Sequence, residues 1–466
     1  MNKVKKQGQV YTPLSIVKLM LDSVGYEGCK ILKKHIIDNS CGDGAFLTES
    51  VFRYCNEYFQ SKNSDLKKLK KNLESYIHGI EIDEIEYKKC LENLNAVGLK
   101  FGLSNVKWNV LNRSALEVNV FNHQMDYVVG NPPYVRVHNL EQMYESVKKF
   151  QFAQEGMTDL YIVFFEICFE LMNDSGVMCV ITPSSWLNSL AGTKLRHYIL
   201  ENKNLKKLID LEHYQAFNAT TYTIISQFNK KENDSIFYYT YDGKLHKKEN
   251  LSYANFVIDG KFYLASKKDL DLLHKIRNSN LPCRVQVKNG FATLADKIFI
   301  GNFEFEDCVI DVIKASSGKW TKCVYPYNAK GKPFSELEFQ KFKKAYSYLL
   351  LHKENISSHG DGSAWFLFGR SQGVLDVKKN KIAINSLIKD IDTIKLNEVP
   401  AGKGVYSGLY ILTEFSFEKI KSILQTEDFV EYISLLKNYK SGGYYTYSSK
   451  DLEMYLNYKL SGEKYE

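Results

Sequence analysis

The chain has 466 residues, 44% of them hydrophobic and 25% charged, enough for two or three domains that each bury a core. Only 8 prolines and no stretch approaching the ~20 apolar residues of a membrane span exclude a disordered or membrane-embedded chain and predict a cytoplasmic protein without a signal peptide. A net charge of +8 permits a polyanionic partner without requiring one.

Nine cysteines follow no C-x-x-C or Cys/His zinc spacing. They read as buried or partly buried thiols, not as disulfides or metal ligands. The 32 tyrosines and 27 phenylalanines can fill cores or stack on bases.

In chain order, Gly8-Gln9-Val10-Tyr11-Thr12-Pro13 precedes helical apolar spacing from Leu14 to Val24. Thr12 before Pro13 reads as an N-cap followed by a first-turn proline, a site whose hydroxyl and open N–H groups can hold a carboxylate. A short strand, His35 to Ser40, then runs into Cys41-Gly42-Asp43-Gly44-Ala45-Phe46-Leu47 and a helix to about Phe59. That strand–Gly-x-Gly–helix unit brings backbone close to a ligand at a helix N-terminus. The full G-x-G-x-x-G spacing is absent. The acidic strand end and the apolar pair after the second glycine point to S-adenosylmethionine more than to a dinucleotide. The lysine-rich run Lys62 to Asn72 reads as a solvated helix or loop.

The second strand, Tyr76 to Asp83, ends in acid, and a carboxylate there can accept both hydroxyls of a ribose. A helix Glu84–Val97, a strand Val106–Val110 and a strand Met125–Gly130 follow. The last of these leads into Asn131-Pro132-Pro133-Tyr134. Two prolines hold φ near −65° and donate no N–H, so the carbonyls between them face outward as acceptors. Asn131 adds a side-chain carbonyl and Tyr134 a flat ring. Acceptors and a ring aimed at one point suit a planar –NH2 group that attacks an electrophile. A bare Pro-Pro would be a strand-capping turn. Its flanking residues favour the functional reading.

An apolar helix from Thr158 to about Met172, a strand Val177–Pro183, a helix Leu190–Glu201 and strands Leu205–Leu211 and Thr223–Phe228 complete the pattern. Seven strands alternating with helices until the last pair predict a doubly wound α/β sheet with an antiparallel edge. After about Lys231, short aromatic runs such as Phe237-Tyr238-Tyr239, Lys297 to Ile300 and Trp365 to Phe368 are divided by polar turns. This predicts a first domain over 1–235 and a mixed α/β second domain over 236–466. Its turn-rich segments Lys288 to Thr293, Ser357 to Gly362, Gly369-Arg370-Ser371-Gln372-Gly373 and Ser441 to Tyr445 suit contacts to phosphates or bases, and equally suit ordinary loops.

Taken in order, these motifs resemble the gamma-group DNA adenine-N6 methyltransferases of type II restriction-modification systems. The resemblance covers about the first 230 residues, from Gln9-Val-Tyr-Thr-Pro13 through Asp38 to Leu47 and Glu81-Ile-Asp83 to Asn131-Pro-Pro-Tyr134, with Asp159-Leu-Tyr161 and Ile181-Thr-Pro183 also fitting. It implies a Rossmann-like seven-stranded S-adenosylmethionine-dependent methyltransferase domain followed by a target-recognition domain for double-stranded DNA. It implies cofactor contacts from Tyr11, Thr12, Pro13, Asp38, Ser40, Gly42, Asp43, Gly44, Phe46 and Leu47, with Glu81 on the ribose and Ile82 on the adenine ring. Asn131 would serve both cofactor and target, Asn131 and the Pro132 carbonyl binding the target amine beside Pro133. Tyr134 would stack on the flipped base, with Phe217 on its other face.

The usual acid after the third strand is missing; Ser114 or Asn112 stands where it would accept the cofactor's adenine amine. No Pro-Cys pair exists, so Cys41 is not a nucleophile of the cytosine-C5 kind. No metal is implied. A cognate restriction endonuclease acting on the same site without a stable complex fits this group. Methyl transfer to RNA or to a protein glutamine, a non-catalytic specificity subunit and a fused restriction-modification enzyme are the competing readings. The last is disfavoured because the sequence begins at the cofactor motifs.

Overall fold

The computed structural model describes residues 11–135, 144–155, 159–217, 221–277, 280–356 and 364–462. The chain divides into two compact units, Met1–Leu270 and Asp271–Glu466. The first carries strands β1 (Ile36–Asp38), β2 (Ile77–Ile80), β3 (Asn109–Leu111), β4 (Met125–Gly130) and β5 (Met172–Pro183). It continues with β6 (Leu205–Asp210), β7 (Thr223–Asn229), β8 (Ser235–Tyr241) and β9 (Leu245–Ser252). They form one nine-stranded sheet in the order β3-β2-β1-β4-β5-β7-β6-β8-β9.

Strands β1 to β5 pair in parallel, so their carboxyl ends share one edge. Helices α1 (Leu14–Val24), α2 (Ala45–Gln60), α3 (Leu66–Tyr76) and α4 (Glu84–Lys100) contribute to a core with Ile36, Val129, Cys179, Ile181 and Ile225. In α2 the buried residues Phe46, Leu47, Val51, Tyr54, Cys55 and Tyr58 recur at helical spacing, each large one contributing roughly 1.5–3 kcal/mol. The helix α5 (Leu160–Leu171) is apolar all round because nearly all of it is buried; Phe165 and Phe169 meet Trp186 and Phe228 edge-on. The helix α6 (Thr193–Asn202) precedes β6.

Two expectations are corrected. The antiparallel edge is formed by β9, whereas β7 lies between β5 and β6 and is antiparallel to both. The link from β6 to β7 is too short for a crossover helix, so the chain must turn back. The sheet also runs past residue 235. Strand β8 pairs in parallel with β6 and β9 closes a hairpin on it, so the first unit ends at Leu270. The change of pattern after Lys231 marks a strand hairpin, not a boundary.

Two small strands, β10 (Val257–Ile258) and β11 (Lys261–Phe262), and helix α7 (Lys267–Ile276) follow. The second unit carries a four-stranded sheet of β12 (Gln286–Asn289), β20 (Leu409–Leu412), β16 (Lys381–Ile384) and β18 (Leu396–Val399). Another joins β13 (Ile300–Gly301), β15 (Lys319–Val324), β14 (Val309–Lys314) and β19 (Gly404–Tyr406). The third, smaller sheet is β17 (Leu387–Ile388), β22 (Tyr444–Thr446) and β21 (Tyr439–Lys440). With its helices this unit is mixed α/β. The run Trp365 to Phe368 is a turn whose Phe366 and Phe368 fill the core. All nine cysteines are free thiols, and Cys29 and Cys283 are exposed rather than buried. Among the described residues no helix is long and apolar enough to cross a membrane.

At the amino ends of the central strands, His35 Nδ1 lies 2.8 Å from His78 Nε2, and His78 Nδ1 lies 2.9 Å from Asn109 Nδ2. Burial, with the neighbouring His35, pushes His78 down to about 3; burial also lowers His35. The fold therefore favours both rings neutral, while the unfolded chain protonates them near their ordinary value of about 6.5. Their contribution to stability is present above about pH 6.5 and is lost as pH falls toward 3, at up to roughly 1.4 kcal/mol per pH unit for each proton excluded. Denaturant midpoints should fall between pH 7 and 5, and His78→Gln should flatten that fall. Equal slopes in the two proteins would assign the acid limb to other groups.

Candidate active site

The parallel register sets Asp38 opposite Gly79 and Gly130 opposite Val180, which gathers the segments after β1, β2, β4 and β5 at one edge. Asp38 is buried and its Oδ1 accepts the Ser40 N–H at 3.0 Å. Burial, with Glu81 and Asp43 nearby, pushes its carboxyl up to about 8, against the pull of the Ser40 hydrogen bond. At neutral pH it holds a proton.

After Asp38 the chain turns through Cys41-Gly42-Asp43-Gly44 into α2. Gly44 has φ of 88°, and a Cβ there would sit 2.8 Å from Cys90 Sγ on α4, so only glycine fits. A Cβ on Gly42, by contrast, would meet nothing within 4 Å. The turn presents bare backbone to open space. Glu81, following β2, accepts the Gly42 N–H on one oxygen and the Asp83 N–H on the other, each at 2.8 Å. Burial raises its pKa despite those bonds. Beside it Ile82 is 58% exposed, an apolar face with no core to fill. The Asn112 amide donates to the carbonyls of Glu81 and Ile82, at 2.9 and 3.3 Å, tying the ends of β2 and β3 together. Ser114 Oγ accepts the Leu116 N–H at 3.3 Å. An acid, an apolar face and an open glycine turn at two adjacent strand ends fit an adenosine-bearing ligand. Among the described residues no cluster of three or more His, Cys, Asp or Glu is arranged to hold a metal.

Asn131 follows β4. Its backbone carbonyl accepts from Ser40 Oγ at 3.3 Å, and its Nδ2 donates to Thr12 Oγ1 at 3.1 Å. Thr12 is thus not the helix cap. Pro13 occupies that position, without a side-chain cap bond, and its carbonyl accepts from Ile16 and Val17. The Tyr11 hydroxyl donates to Glu86 Oε2 at 3.1 Å. Gln9 and Val10 of the same motif lie outside the described residues.

Residues 17–217 match the family described as Eco57I restriction-modification methylase. That stretch, less than half of the chain, is similar to this family. The type II restriction enzyme and methyltransferase RM.Eco57I of Escherichia coli is 25% identical over 78% of this chain and 47% of its own length. The type II methyltransferase M.BstVI of Geobacillus stearothermophilus is 29% identical over 49% of this chain and 43% of its own. The chain therefore spans less than half the length of both relatives. The type IIL restriction-modification enzyme MmeI, solved in complex with DNA, shares the fold with a TM-score of 0.64 at 13% identity, over 94% of this chain and 65% of MmeI.

Within this unit the remaining expected residues divide. Asp38, Ser40, Gly42, Gly44, Glu81, Thr12 and Asn131 are brought together by the contacts above. Phe46 and Leu47 are corrected: at 2% and 0% exposure they belong to the core and back the turn from below. Phe217 is also corrected. Its ring meets Tyr134 at 6.4 Å with planes 78° apart, an edge contact that leaves no parallel slot for a base between them. Asn218 beside it lies outside the described residues, as does Ser357 to Gly362. Sequence reading assigned no role to Ser185. Its Oγ lies 2.9 Å from the Tyr161 hydroxyl, and the Tyr161 ring stands edge-on to Tyr134. The Asp159-Leu-Tyr161 motif was the available signal.

In the second unit, Ala292 and Arg370 exchange two backbone hydrogen bonds of 3.0 Å, placing segments 288–293 and 369–373 side by side. Asp376 anchors the first of them through Lys288. Burial pushes its carboxyl up, but bonds from Lys288, Lys379 and Tyr410 outweigh this and hold it down at about 2.

The Tyr134 hydroxyl donates to the Ile181 carbonyl at 3.2 Å, and burial raises its pKa well above the ordinary value. On the function proposed below, Tyr134→Phe should cost about 1 kcal/mol of stability and change methyl transfer by about fivefold or less, since one neutral hydrogen bond is lost. Tyr134→Ala also removes the ring and should slow transfer by roughly ten- to hundredfold, the worth of one stacked base. Equal losses in steady-state assays would show that the hydroxyl matters and the ring does not.

Proposed function

We propose that the chain is a site-specific DNA methyltransferase that moves a methyl group from S-adenosylmethionine to N6 of adenine in a short duplex sequence by base flipping. Its modification would protect that sequence from a restriction endonuclease. The observation that carries this reading is the Asn131-Pro132-Pro133-Tyr134 turn, fixed by Ser40 and Thr12 beside the Gly42–Gly44 turn and Glu81. The similarity of residues 17–217 to a restriction-modification methylase family supports it. The second unit is assigned to DNA recognition, with the adjoining segments 288–293 and 369–373 as its reading surface.

When bound, S-adenosylmethionine supplies an electrophilic methyl on a sulfonium. Glu81 would accept its ribose hydroxyls through lone pairs that the two backbone N–H groups leave, and Ile82 would pack on its adenine. Tyr11, Pro13 and Thr12 would border its amino-acid end, and Asn112 or Ser114 would accept from its adenine amine. The target adenine leaves the duplex at a cost of a few kcal/mol and stacks on Tyr134. Acceptors on Asn131 and Pro132 would accept hydrogen bonds from the N6 amine, raise electron density on nitrogen and aim its lone pair. N6 would attack the methyl carbon as a neutral amine while the carbon–sulfur bond breaks to leave neutral S-adenosylhomocysteine, and the N6 proton would then pass to solvent, so no carboxylate base is required. Fixed dipoles and positioning supply most of the barrier reduction.

Expression in a methylation-deficient bacterial host, followed by modification-sensitive sequencing of its DNA, should show N6-methyladenine at nearly every copy of one short motif. Asn131→Ala should leave that DNA unmodified. Unmodified DNA from a folded, cofactor-binding wild type would sink the reading and favour RNA or protein as acceptor.

Asp38 adds a pH dependence. Its carboxyl, near 8 before binding, is protonated at neutral pH, and a sulfonium cation favours the ionised form. Binding should release a proton below about pH 8, and affinity should rise with pH up to that point and then level. Calorimetry in buffers of different ionisation heat measures the release. S-adenosylhomocysteine, which lacks the sulfonium charge, should release less. A release identical for both ligands would remove Asp38 from this role.

A further inference from the structure

A primary amide can lie in its site in two ways that exchange its N–H and C=O ends, and only the carbonyl end can accept from a substrate amine. Which end faces the substrate is therefore a property of the surrounding contacts, not of Asn131 alone. The backbone of Asn131 is set by the turn and by Ser40 Oγ on its carbonyl. Its side chain is set from a distant part of the chain, by the Nδ2 bond to Thr12 Oγ1 across 119 residues.

Thr12 is available for this because of its neighbour. Pro13 starts α1 with φ −59° and ψ 144°, and its carbonyl accepts the first helical N–H groups. The threonine side chain is not drawn into capping. The Tyr11 hydroxyl, bonded to Glu86 on α4, anchors the residue before it. Segment 11–13 is thus pinned on both sides of the open glycine turn, to α4 at one point and to the catalytic turn at another.

We propose that Thr12 is a positioning residue of the methyl transfer: its hydroxyl bonds the side-chain amide of Asn131 and so holds that amide in place for the target amine. This rests on the proposed reaction and gives Thr12 a role in addition to bordering the cofactor. Ser40 holds the backbone of the turn independently of this bond. What changes without Thr12 is the fraction of molecules in which the Asn131 amide is held where it can meet the base. The effect belongs in the rate of the chemical step more than in either affinity.

The test uses the full chain and a duplex carrying the motif found by sequencing. Single-turnover methylation at saturating S-adenosylmethionine is measured for wild type, Thr12→Val, Thr12→Ser and Asn131→Ala, with calorimetric cofactor affinity and fluorescence-measured duplex affinity alongside. Thr12→Val, which matches the shape and removes the acceptor, should slow the step roughly ten- to hundredfold, the size expected for a misplaced reacting group. Duplex affinity should be unchanged, and any loss of cofactor affinity should be small beside the loss of rate at saturating cofactor. Thr12→Ser, which keeps the hydroxyl, should restore the rate. A Thr12→Val rate equal to wild type, a loss confined to cofactor affinity, or a Thr12→Ser as slow as Thr12→Val each overturns the positioning role while leaving the reaction assigned. A wild type that methylates no duplex overturns the proposed reaction and the role of Thr12 with it.

Discussion

The parallel placement of β1 between β2 and β4 is the constraint on which the site depends. Because Asp38 sits opposite Gly79 and Ile37 opposite Val128, the chain leaves all three strands on the same edge. Strand β4 must also approach β1 closely: a Cβ on Gly130 would lie 2.7 Å from Asp38 Oδ1. That contact lets Ser40 reach the Asn131 carbonyl. A one-residue slip of β1 would turn Asp38 and Ile37 to opposite faces and separate these groups. Register here is a functional quantity as much as a structural one.

The same closeness concentrates cost. Asp38, Asp43 and Glu81 lie near one another, and burial raises the pKa of each. Without ligand, such a cluster opposes folding unless protons or N–H donors compensate. Backbone donors from Ser40, Gly42 and Asp83 do part of this. The remainder is a field that favours positive charge. On the proposed reading the ligand brings that charge, so the site is most strained when empty and most satisfied when loaded.

Much of this was legible in the sequence where the signal was local. The strands ending at Asp38, Ile80 and Gly130 and the helix after Gly44 follow from apolar runs broken by glycine and acid. The Gly44 turn announces itself because the chain there permits no side chain. The placement of β7 inside the sheet and the continuation into β8 and β9 were not legible. Strand order depends on which edges remain unpaired after the rest has assembled, and no local pattern encodes it. Phe46, Leu47 and Phe217 were misplaced for a related reason. An aromatic or aliphatic residue beside a motif has the same sequence signature whether it faces the ligand or the core.

The bond between Thr12 and Asn131 shows the limit most sharply. Thr-Pro ahead of an apolar helix is a capping signal, and the local rule assigns the hydroxyl to that helix. Pro13 takes over the cap, and the hydroxyl goes to a residue on another strand end. A side chain released from its local duty in this way can serve a distant one without disturbing the helix. On the proposed reading, the placement of the amide that meets the target base is then set jointly by segment 11–13 and by Ser40 after β1, while the turn after β4 supplies the chemistry. Transfer of the Asn-Pro-Pro-Tyr turn to another scaffold would carry its acceptors and its ring, but not the orientation of the amide.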